Sequence, residues 1–416
     1  MRFIYNFLIV FAGWLLQFIA LFQKKMKLFV TGRKGVFQLL EKSIQQGDEV
    51  IWVHAASLGE FEQGRPVIEK LKKKYPHYKI LLTFFSPSGY EVKKDYEYAD
   101  IVCYLPLDSI SNAKKFIKLA KPKLAVFIKY EFWPNYLTEL GKQNISTILV
   151  SGIFRENQLF FKWYGKGMKN ILNTFSHFFV QDKKSLNLLK SIGFENATLS
   201  GDTRFDRVYD ILQQNNELDF IEEFKNEKYT LVAGSTWIED EELLVNYINK
   251  LSTSNEKFII APHNIKPEGI MRLKNSLKCS TVLYTEREGK NLKEYQVFII
   301  DTIGILTKIY AAADVAYVGG AFKTGLHNIL EPATYGVPII IGPKFQKFNE
   351  AIDLVALEGC LTVNEQNALN EKLLLLRDDD TIRLEKGNIA QNYIKSSLGA
   401  SEKILDFIKA LSVADK

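Results

Sequence analysis

Short apolar segments alternate with lysine-rich amphipathic segments along most of this 416-residue chain. Such apolar runs are typical of strands buried on both faces, and the segments between them are long enough for helices. The alternation predicts parallel sheets, because parallel strands need a crossover connection. The predicted strands are 50–53, 80–83, 101–104, 124–128, 147–150 and 178–180 in a first series, and 230–233, 258–261, 297–300, 315–318 and 338–341 in a second.

The alternation pauses between Asp206 and Asn226, where the polar run 213–217 offers few core residues. The chain is also longer than one hydrophobic core usually serves. We therefore predict two Rossmann-like, doubly wound α/β domains that face a central cleft, at residues 28–210 and 211–416. Whether the last helix crosses back to the first domain stays open. Ligands of such sheets bind beyond the carboxyl ends of the strands, so the loops after the strands are the candidate sites.

The N-terminus differs from the rest, because residues 3–23 contain no formally charged side chain and are rich in Phe, Ile, Leu and Val. Basic residues flank this segment: Arg2 before it, and Lys24, Lys25, Lys27, Arg33 and Lys34 after it. We predict a membrane anchor at residues 1–27 with the basic collar on the cytoplasmic side. A spanning helix and a shallow interfacial anchor both fit its length and its few polar residues. A buried core helix is the third alternative.

Charge and cysteine usage narrow the class of protein. The net charge of +6 is mild and suits an anionic membrane surface or an anionic substrate. It is too diffuse to indicate nucleic-acid binding, and the sequence contains no nucleic-acid-binding module. The three cysteines lie far apart and the five histidines show no ligand spacing, so neither a disulfide framework nor a metal site is predicted.

The segment from Val315 to Pro332 predicts a buried strand, a glycine loop at Gly319 and Gly320, and then the start of a helix. Glycines let backbone N–H groups approach a phosphate, and the positive end of a helix favours an anion. Glu331 would accept hydrogen bonds from ribose hydroxyls. The alternative is a glycine turn that only packs a helix on a sheet. Neither a Walker A motif nor GxGxxG is present, so triphosphate and dinucleotide cofactors are not predicted.

Two charged residues in other loops are candidates for catalysis. Glu60 follows the first strand at the start of a helix, where an ionised carboxylate is a suitable general base for an incoming hydroxyl. The alternative role is stabilisation of the helix N-terminus. Arg204 lies just before the predicted boundary and is a candidate clamp for an anion, the alternative being a salt bridge to Asp202 or Asp206.

Taken together, these features resemble the Kdo transferases, inner-membrane enzymes that add 3-deoxy-D-manno-octulosonic acid (Kdo) to the lipid A precursor. The resemblance covers nearly the whole chain and rests on the order and spacing of the anchor, 54–60 (HAASLGE), 131–135 (EFWPN), 204–206 (RFD), 318–320 (VGG) and 327–331 (HNILE). It implies a GT-B fold, a CMP-activated sugar donor, inversion at the anomeric carbon, and neither metal nor other cofactor.

The resemblance also implies roles for residues of this chain. Glu60 would be the general base, and Glu131 and Arg204 would stabilise the transition state. The implied CMP-binding residues are Pro262, His263, Ile303, Gly304, Ile305, Gly319, Gly320, Asn328, Ile329, Leu330 and Glu331. Three positions depart from the family pattern: Lys129 replaces a glutamate, His263 replaces a basic residue, and Ile305 replaces a glutamate.

The expected function is therefore transfer of Kdo from CMP-Kdo to the lipid A precursor, lipid IVA, at the cytoplasmic face of the bacterial inner membrane. The expected partners are CMP-Kdo, the precursor glycolipid and the membrane surface, with no nucleic acid. Two alternatives stay open. One is another GT-B enzyme that uses a UDP-sugar, either a transferase or an epimerase. The other is a non-catalytic, membrane-attached lipid-binding protein.

Overall fold

The computed structural model describes residues 2–414. The predicted anchor begins at Met1 and the predicted second domain ends at Lys416; Met1 and residues 415–416 lie outside the described residues. The chain forms two compact units, one of Met1–Arg207 with Leu398–Lys416 and the other of Val208–Ser397. The chain thus leaves the first unit at Arg207, whereas the sequence analysis placed the boundary after residue 210.

The first unit contains a seven-stranded parallel sheet in the order β3-β2-β1-β4-β5-β6-β7. Its strands are β1 Val50–Ala55, β2 Lys79–Phe84, β3 Ile101–Tyr104, β4 Pro122–Ile128, β5 Ser146–Gly152, β6 His177–Val180 and β7 Ala197–Leu199. Its helices are α1 Arg2–Ile19, α2 Lys24–Thr31, α3 Val36–Ser43, α4 Leu58–Lys74, α5 Pro87–Lys93, α6 Ile110–Ala120, α7 Pro134–Lys142, α8 Lys166–Leu172, α9 Lys183–Ser191, and α10 Thr203–Asp210, within which the unit ends.

The second unit contains another seven-stranded parallel sheet, in the order β10-β11-β9-β8-β12-β13-β14. Its strands are β8 Tyr229–Thr236, β9 Glu256–Pro262, β10 Thr281–Leu283, β11 Val297–Ile299, β12 Val315–Val318, β13 Ile339–Ile341 and β14 Cys360–Thr362. Its helices are α11 Asp219–Lys225, α12 Ile238–Lys250, α13 Pro267–Ser276, α14 Leu306–Ile309, α15 Leu330–Thr334, α16 Asn349–Ala356, α17 Gln366–Asp378 and α18 Asp380–Ser396.

Every strand predicted from the sequence is present, and the predicted parallel pairing is confirmed. The central strand β1 is buried along its whole length. Its side chains alternate between two cores, with Trp52 on one face and Ile51 and Val53 on the other. This two-sided burial explains the unbroken apolar runs. The sequence analysis missed β7, β10 and β14, which have only three residues each.

The last helix, α19 Ala400–Ala414, returns to the first unit. Ile404 and Ile408 lie in the same core as Ile51 and Val53 of β1. The Asp206 carboxylate accepts hydrogen bonds from the N–H groups of Gly399 (2.7 Å) and Ser401 (2.6 Å), so it caps the start of this helix. The last segment of the chain therefore completes the first core.

Helix α1 lies on the first unit through polar contacts. The Tyr5 hydroxyl donates to Asp108 (2.7 Å), and the Asn135 amide donates to Asn6 (2.8 Å). The opposite side of the helix is apolar and exposed: Phe3 is 83% and Trp14 75% accessible. This exposure excludes the buried-core alternative. Among residues 2–414, no helix combines the length and apolar composition that crossing a bilayer requires.

The predicted basic collar needs one correction, at Arg33. Its side chain is half-buried, and its guanidinium donates to the carbonyl oxygens of Leu105 (2.9 Å), Phe29 (2.6 Å) and Phe85 (2.6 Å). It also lies 3.6 Å from the centroid of the Phe29 ring. Burial lowers the pKa of Arg33 to about 10. Arg33 therefore joins α2 to the loops after β2 and β3, and it does not belong to an exposed cationic surface.

Candidate functional site

A buried polar network occupies the carboxyl end of β1 and β2. His54 and Thr83 pair across these strands, and neither is accessible to solvent. The Trp52 indole donates to Thr83 Oγ1 (2.8 Å), which lies 2.9 Å from His54 Nδ1. His54 Nε2 lies 3.1 Å from Glu131 Oε2. His54 Nδ1 also lies 3.1 Å from the Thr83 carbonyl oxygen, and Trp133 Nε1 lies 3.1 Å from His54 Nε2, so both ring nitrogens have polar partners.

Glu131 follows β4 and is nearly buried. Its Oε2 atom accepts a second hydrogen bond from Trp133 Nε1 at 2.7 Å. The indole of Trp133 is itself packed on Phe85, at 4.7 Å between ring centroids. The structure thus brings together two predicted motifs, 54–60 and 131–135, and holds one oxygen of the Glu131 carboxylate in a fixed position.

Glu60 lies in the first turn of α4, after the N-cap residue Ser57. The Ser57 hydroxyl donates to Glu60 Oε2, so the carboxylate is oriented at the helix N-terminus. Glu60 is half-buried. Its charge acts on the phenol of Tyr130, whose pKa is raised chiefly by burial and further by Glu60 and Asp182. Glu60 and the 129–131 segment therefore belong to one region of the first unit.

Lys129, one of the three positions that depart from the expected pattern, has a strained backbone. Its φ of 70° is in the left-handed region, which is uncommon for residues other than glycine. Its N–H donates to Val150 of β5 at 2.9 Å. Its ammonium lies 5.3 Å from the centroid of the Tyr130 ring, and the Arg155 guanidinium lies 5.4 Å from the same centroid. The β4 carboxyl end thus combines a strained residue with two cations.

The Arg204 side chain is paired with the Asp202 carboxylate. Its Nε and Nη2 atoms donate to Asp202 Oδ2 at 2.9 and 2.7 Å, and its own N–H donates to Oδ1 at 2.9 Å. This confirms one of the two salt-bridge alternatives, while Asp206 is occupied with α19. About a third of the Arg204 side chain is exposed (31%).

In the second unit, Gly319 and Gly320 follow β12 and pack against the end of β8. A Cβ atom on Gly319 would lie 2.6 Å from the Ser235 carbonyl oxygen. The N–H of Gly319 donates to Gly234 (3.0 Å), and that of Gly320 donates to Asp240 (2.9 Å). Both N–H groups are thus engaged within the protein. The expectation that they hold a phosphate is not met, and the glycines serve a close backbone approach.

Asp240 organises this junction. Its carboxylate accepts hydrogen bonds from the N–H groups of Trp237 (2.9 Å) and Gly320 (2.9 Å) and from the Tyr317 hydroxyl (2.7 Å). Burial nevertheless raises the pKa of Asp240, because the charged form is desolvated. The glycine loop is therefore attached to the start of α12 by one buried carboxyl group.

Glu331 lies in the first turn of α15, which has only five residues. Its Oε1 atom accepts from the Asn328 amide (2.9 Å) and its Oε2 from the Thr307 hydroxyl (2.7 Å). Asn328 also accepts the N–H of Leu330 at 3.1 Å. Glu331 therefore joins the predicted segment 328–331 to Thr307 of α14, which follows the predicted segment 303–305. Asn328 is exposed and Glu331 half-buried, whereas the side chains of Ile329 and Leu330 are buried.

A stack of three aromatic rings lies beside the glycine loop. The rings of Trp237 and His263 are stacked at 4.7 Å, and those of His263 and His327 lie 4.5 Å apart. Trp237 Nε1 donates to His327 Nε2 at 3.1 Å. Partial burial, and to a smaller extent His263, lowers the pKa of His327 to about 4, so that imidazole is neutral near pH 7. His263 itself is exposed, next to the half-buried Pro262.

The remaining predicted positions form an exposed loop after β11. Ile303 and Gly304 are exposed, and Gly304 has a φ of 97° with no atom near the position of a Cβ. Ile305 is half-buried as the N-cap residue of α14. Among residues 2–414, no three His, Cys, Asp or Glu side chains converge as metal ligands do.

Residues 31–207 match the protein family described as 3-deoxy-D-manno-octulosonic-acid transferase (kdotransferase). The 3-deoxy-D-manno-octulosonic acid transferase of Haemophilus influenzae is 28% identical over 375 residues, which cover 86% of this chain and 86% of that protein. The transferase of the same description from Aquifex aeolicus is 28% identical over 385 residues, 89% of this chain and 97% of that protein. Most of the chain is therefore similar to Kdo transferases, and its first unit matches their family model. The resemblance inferred from the motifs is confirmed.

A solved structure extends the likeness to the whole architecture. UDP-GlcNAc 2-epimerase from Neisseria meningitidis, bound to UDP-GlcNAc, aligns with 87% of this chain and all of that one, with a TM-score of 0.61 and 14% identity. At this identity the likeness shows the fold alone. Two parallel sheets with alternating helices form the GT-B fold expected for a Kdo transferase, and that prediction is confirmed.

Sequence reasoning missed several residues of the candidate site. His54 and His327 stand inside quoted motifs, yet neither was assigned a role. Trp237 directly follows a strand, and this position could have marked it as a candidate site residue. Asp240 and Thr307 gave no signal, because their partners Gly320 and Glu331 are distant in sequence.

Proposed function

We propose that this protein transfers Kdo, with inversion, from CMP-Kdo to the lipid A precursor (lipid IVA), with Glu60 as general base. The observation that carries the proposal is the orientation of Glu60 in a region that also contains Glu131, in a chain similar to the Kdo transferases. A carboxylate at a helix N-terminus is stabilised in its charged form, which is the form a base requires.

In the proposed reaction, the acceptor hydroxyl oxygen attacks the anomeric carbon of Kdo, and Glu60 takes the proton of that hydroxyl. The bond between that carbon and the phosphate oxygen breaks, and CMP leaves with the electron pair. Positive charge develops on the sugar and negative charge on the leaving phosphate. Glu131, held by His54 and Trp133, would stabilise the former, and Arg204 the latter.

The second unit would bind the CMP part of the donor. Glu331, oriented by Asn328 and Thr307, is suited to ribose hydroxyls. Helix α14, which contains Thr307, begins directly after the predicted 303–305 segment. The exposed ring of His263 contacts the rings of both Trp237 and His327. Rings arranged in this way suit a planar base. The reaction as proposed needs neither a metal nor another cofactor.

We further propose that α1 attaches the protein to the cytoplasmic face of the bacterial inner membrane. The support is its exposed apolar side, followed by Lys24, Lys25 and Lys27, and the polar contacts that keep its other side on the first unit. A helix with this division lies in the plane of the interface. The phosphorylated precursor would then be reached without leaving the bilayer.

The test is incubation of the purified chain with CMP-Kdo and lipid A precursor. The release of CMP and the mass of the lipid are then measured. The expected result is a lipid heavier by one or more Kdo residues. Activity confined to UDP-sugars would overturn the proposal in favour of another GT-B enzyme. Unchanged product with Glu60→Ala in cells that depend on this chain would remove Glu60 as the base.

A further inference from the structure

The segment after β5 carries apolar side chains that are unusually open to solvent. Trp163 is 93% exposed, Tyr164 is 50% exposed, and Leu159 is also exposed. The rings of Trp163 and Tyr164 lie 5.4 Å apart, edge to face. A cluster of large apolar residues at the surface indicates a contact with something other than water.

This exposure comes from a packed turn. Phe160, between the exposed residues, is buried, and its ring lies 4.8 Å from Phe132 and 6.2 Å from Phe154. The N–H of Gly165 donates to Lys162 at 2.8 Å, and a Cβ at Gly165 would collide with the Leu159 carbonyl. The fold therefore fixes the turn 159–164 and directs Trp163 away from the protein.

Three lysines lie close in sequence to the exposed rings. Lys162, Lys166 and Lys169 lie within or directly after the turn. Among the described residues, none of these three forms an ion pair with a carboxylate. Tryptophan and tyrosine favour the boundary between water and hydrocarbon, and lysines are attracted to anionic headgroups. The combination matches the surface of an anionic bilayer better than a neutral one.

The turn and α1 both contact one short segment of the first unit. Phe160 packs on Phe132, and Asn6 of α1 accepts a hydrogen bond from Asn135, three residues further along. The two apolar surfaces are therefore attached to the same loop, at the carboxyl edge of the sheet. That loop also contains Glu131.

We propose that the turn 159–164 is a second membrane-contact element, whose Trp163 and Tyr164 enter the headgroup region of a bilayer containing anionic phospholipid. The proposal rests on the membrane association proposed for α1. A single contact leaves the first unit free to tilt on the surface. Two membrane contacts attached to the 131–135 segment would fix its orientation, so that Glu131 and Glu60 meet a lipid-held acceptor at a constant height.

The test uses the full chain and vesicles of phosphatidylcholine with or without phosphatidylglycerol, part of the lipid being brominated in its acyl chains. Bromine quenches tryptophans that enter the bilayer. The Trp163 signal is the difference between the wild type and Trp163→Phe. We expect this signal to be quenched on vesicles that contain phosphatidylglycerol, and Trp163→Ser to bind them about tenfold more weakly.

Leu384→Ser is the matched control, because Leu384 is an exposed apolar residue of the second unit. It should bind vesicles as the wild type does. Trp163→Ser should keep the wild-type melting temperature, since its side chain packs against little.

Three outcomes would overturn the inference. Quenching of Trp14 without quenching of Trp163 removes the turn and leaves the α1 proposal intact. Failure of the wild type to bind any vesicle removes both. A dimer that Trp163→Ser dissociates assigns the turn to a second copy of the chain instead.

Discussion

The two carboxylates Glu131 and Glu331 are held in different ways. Glu131 is nearly buried, and one oxygen is fixed by His54 and Trp133, which belong to a buried network reaching Trp52. Glu331 is half-buried at a short helix, and each of its oxygens accepts one hydrogen bond from a neutral side chain. The first unit holds the Glu131 carboxylate in a fixed position. In the second unit, a ligand can replace the neutral side chains that donate hydrogen bonds to Glu331. We therefore expect residues of the first unit to act on kcat and those of the second mainly on KM for the donor.

The largest effect is expected for Glu60→Gln. The amide cannot take a proton, so kcat should fall by about 10²–10⁴-fold, while the melting temperature stays the same. CMP release measures the rate. Glu69→Gln, on the same helix but paired with Arg65, is the control and should remain active. A kcat close to that of the wild type would break the assignment of catalysis to this helix start.

Glu131→Gln should lower kcat by about 10²-fold with little change in KM for CMP-Kdo, because the carboxylate is proposed to act on the charged transition state. Glu139→Gln, on the neighbouring α7, is the control. An increase in KM at constant kcat would contradict the comparison, since it would give Glu131 the role assigned to the second unit.

Gly319→Ala tests how the glycine junction of the second unit contributes to stability, and not to catalysis. The new Cβ would meet backbone atoms of Ser235 and Thr236, so we expect a loss of about 1–3 kcal/mol in the free energy of unfolding. Urea denaturation measures it. Gly269→Ala is the control, because no atom lies near its Cβ position in α13; it should be neutral or slightly stabilising.

Glu331→Gln should raise KM for CMP-Kdo by about tenfold and leave kcat nearly unchanged, as expected for the loss of a hydrogen bond to a charged acceptor. Initial rates at varied donor concentration separate the two constants. Glu358→Gln, an exposed residue of the same unit, serves as control. A collapse of kcat would place Glu331 among the catalytic groups and erase the contrast with Glu131.

The smallest effect concerns pH. The pKa of His327 is about 4 in the folded protein against 6.5 for an unperturbed histidine, so the unfolded chain binds a proton more readily between these values. The stability that comes from burying neutral His327 is complete above pH 6.5 and is lost as the pH falls towards 4. Solvent screening limits it to about 1–2 kcal/mol. His327→Asn should flatten unfolding free energy over this range, and the exposed His77→Asn should not. An unchanged slope would show that His327 is not the titrating group.

The sheets were predictable because a strand buried on both faces is an unbroken apolar run, as at β1 and β8. The strands β7, β10 and β14 were not, because they are short edge strands that are only partly buried, whereas the equally short β11 and β13 are fully buried and apolar. The sequence also placed Arg33 in an exposed collar, because counting charges cannot detect three carbonyl oxygens and an aromatic ring around one guanidinium.

The candidate site divides in the same way. Glu60, Glu131 and Glu331 lie in motifs and at strand ends, so they could be named in advance. Their partners could not, because the contact between His54 and Glu131 joins residues 77 positions apart and that between Gly320 and Asp240 joins residues 80 apart. The glycine N–H groups were misjudged for this reason: the acceptor that occupies one of them is invisible in the local sequence.

The return of α19 to the first core has a consequence for synthesis. A ribosome releases residues 2–207 of this chain first, but they lack Ile404, Ile408 and the backbone groups that Asp206 caps until residues 399–408 have been translated. A prematurely terminated product that contains every proposed catalytic residue therefore remains an unfinished fold. Quality control by proteases would thus remove truncated copies before they reach a lipid.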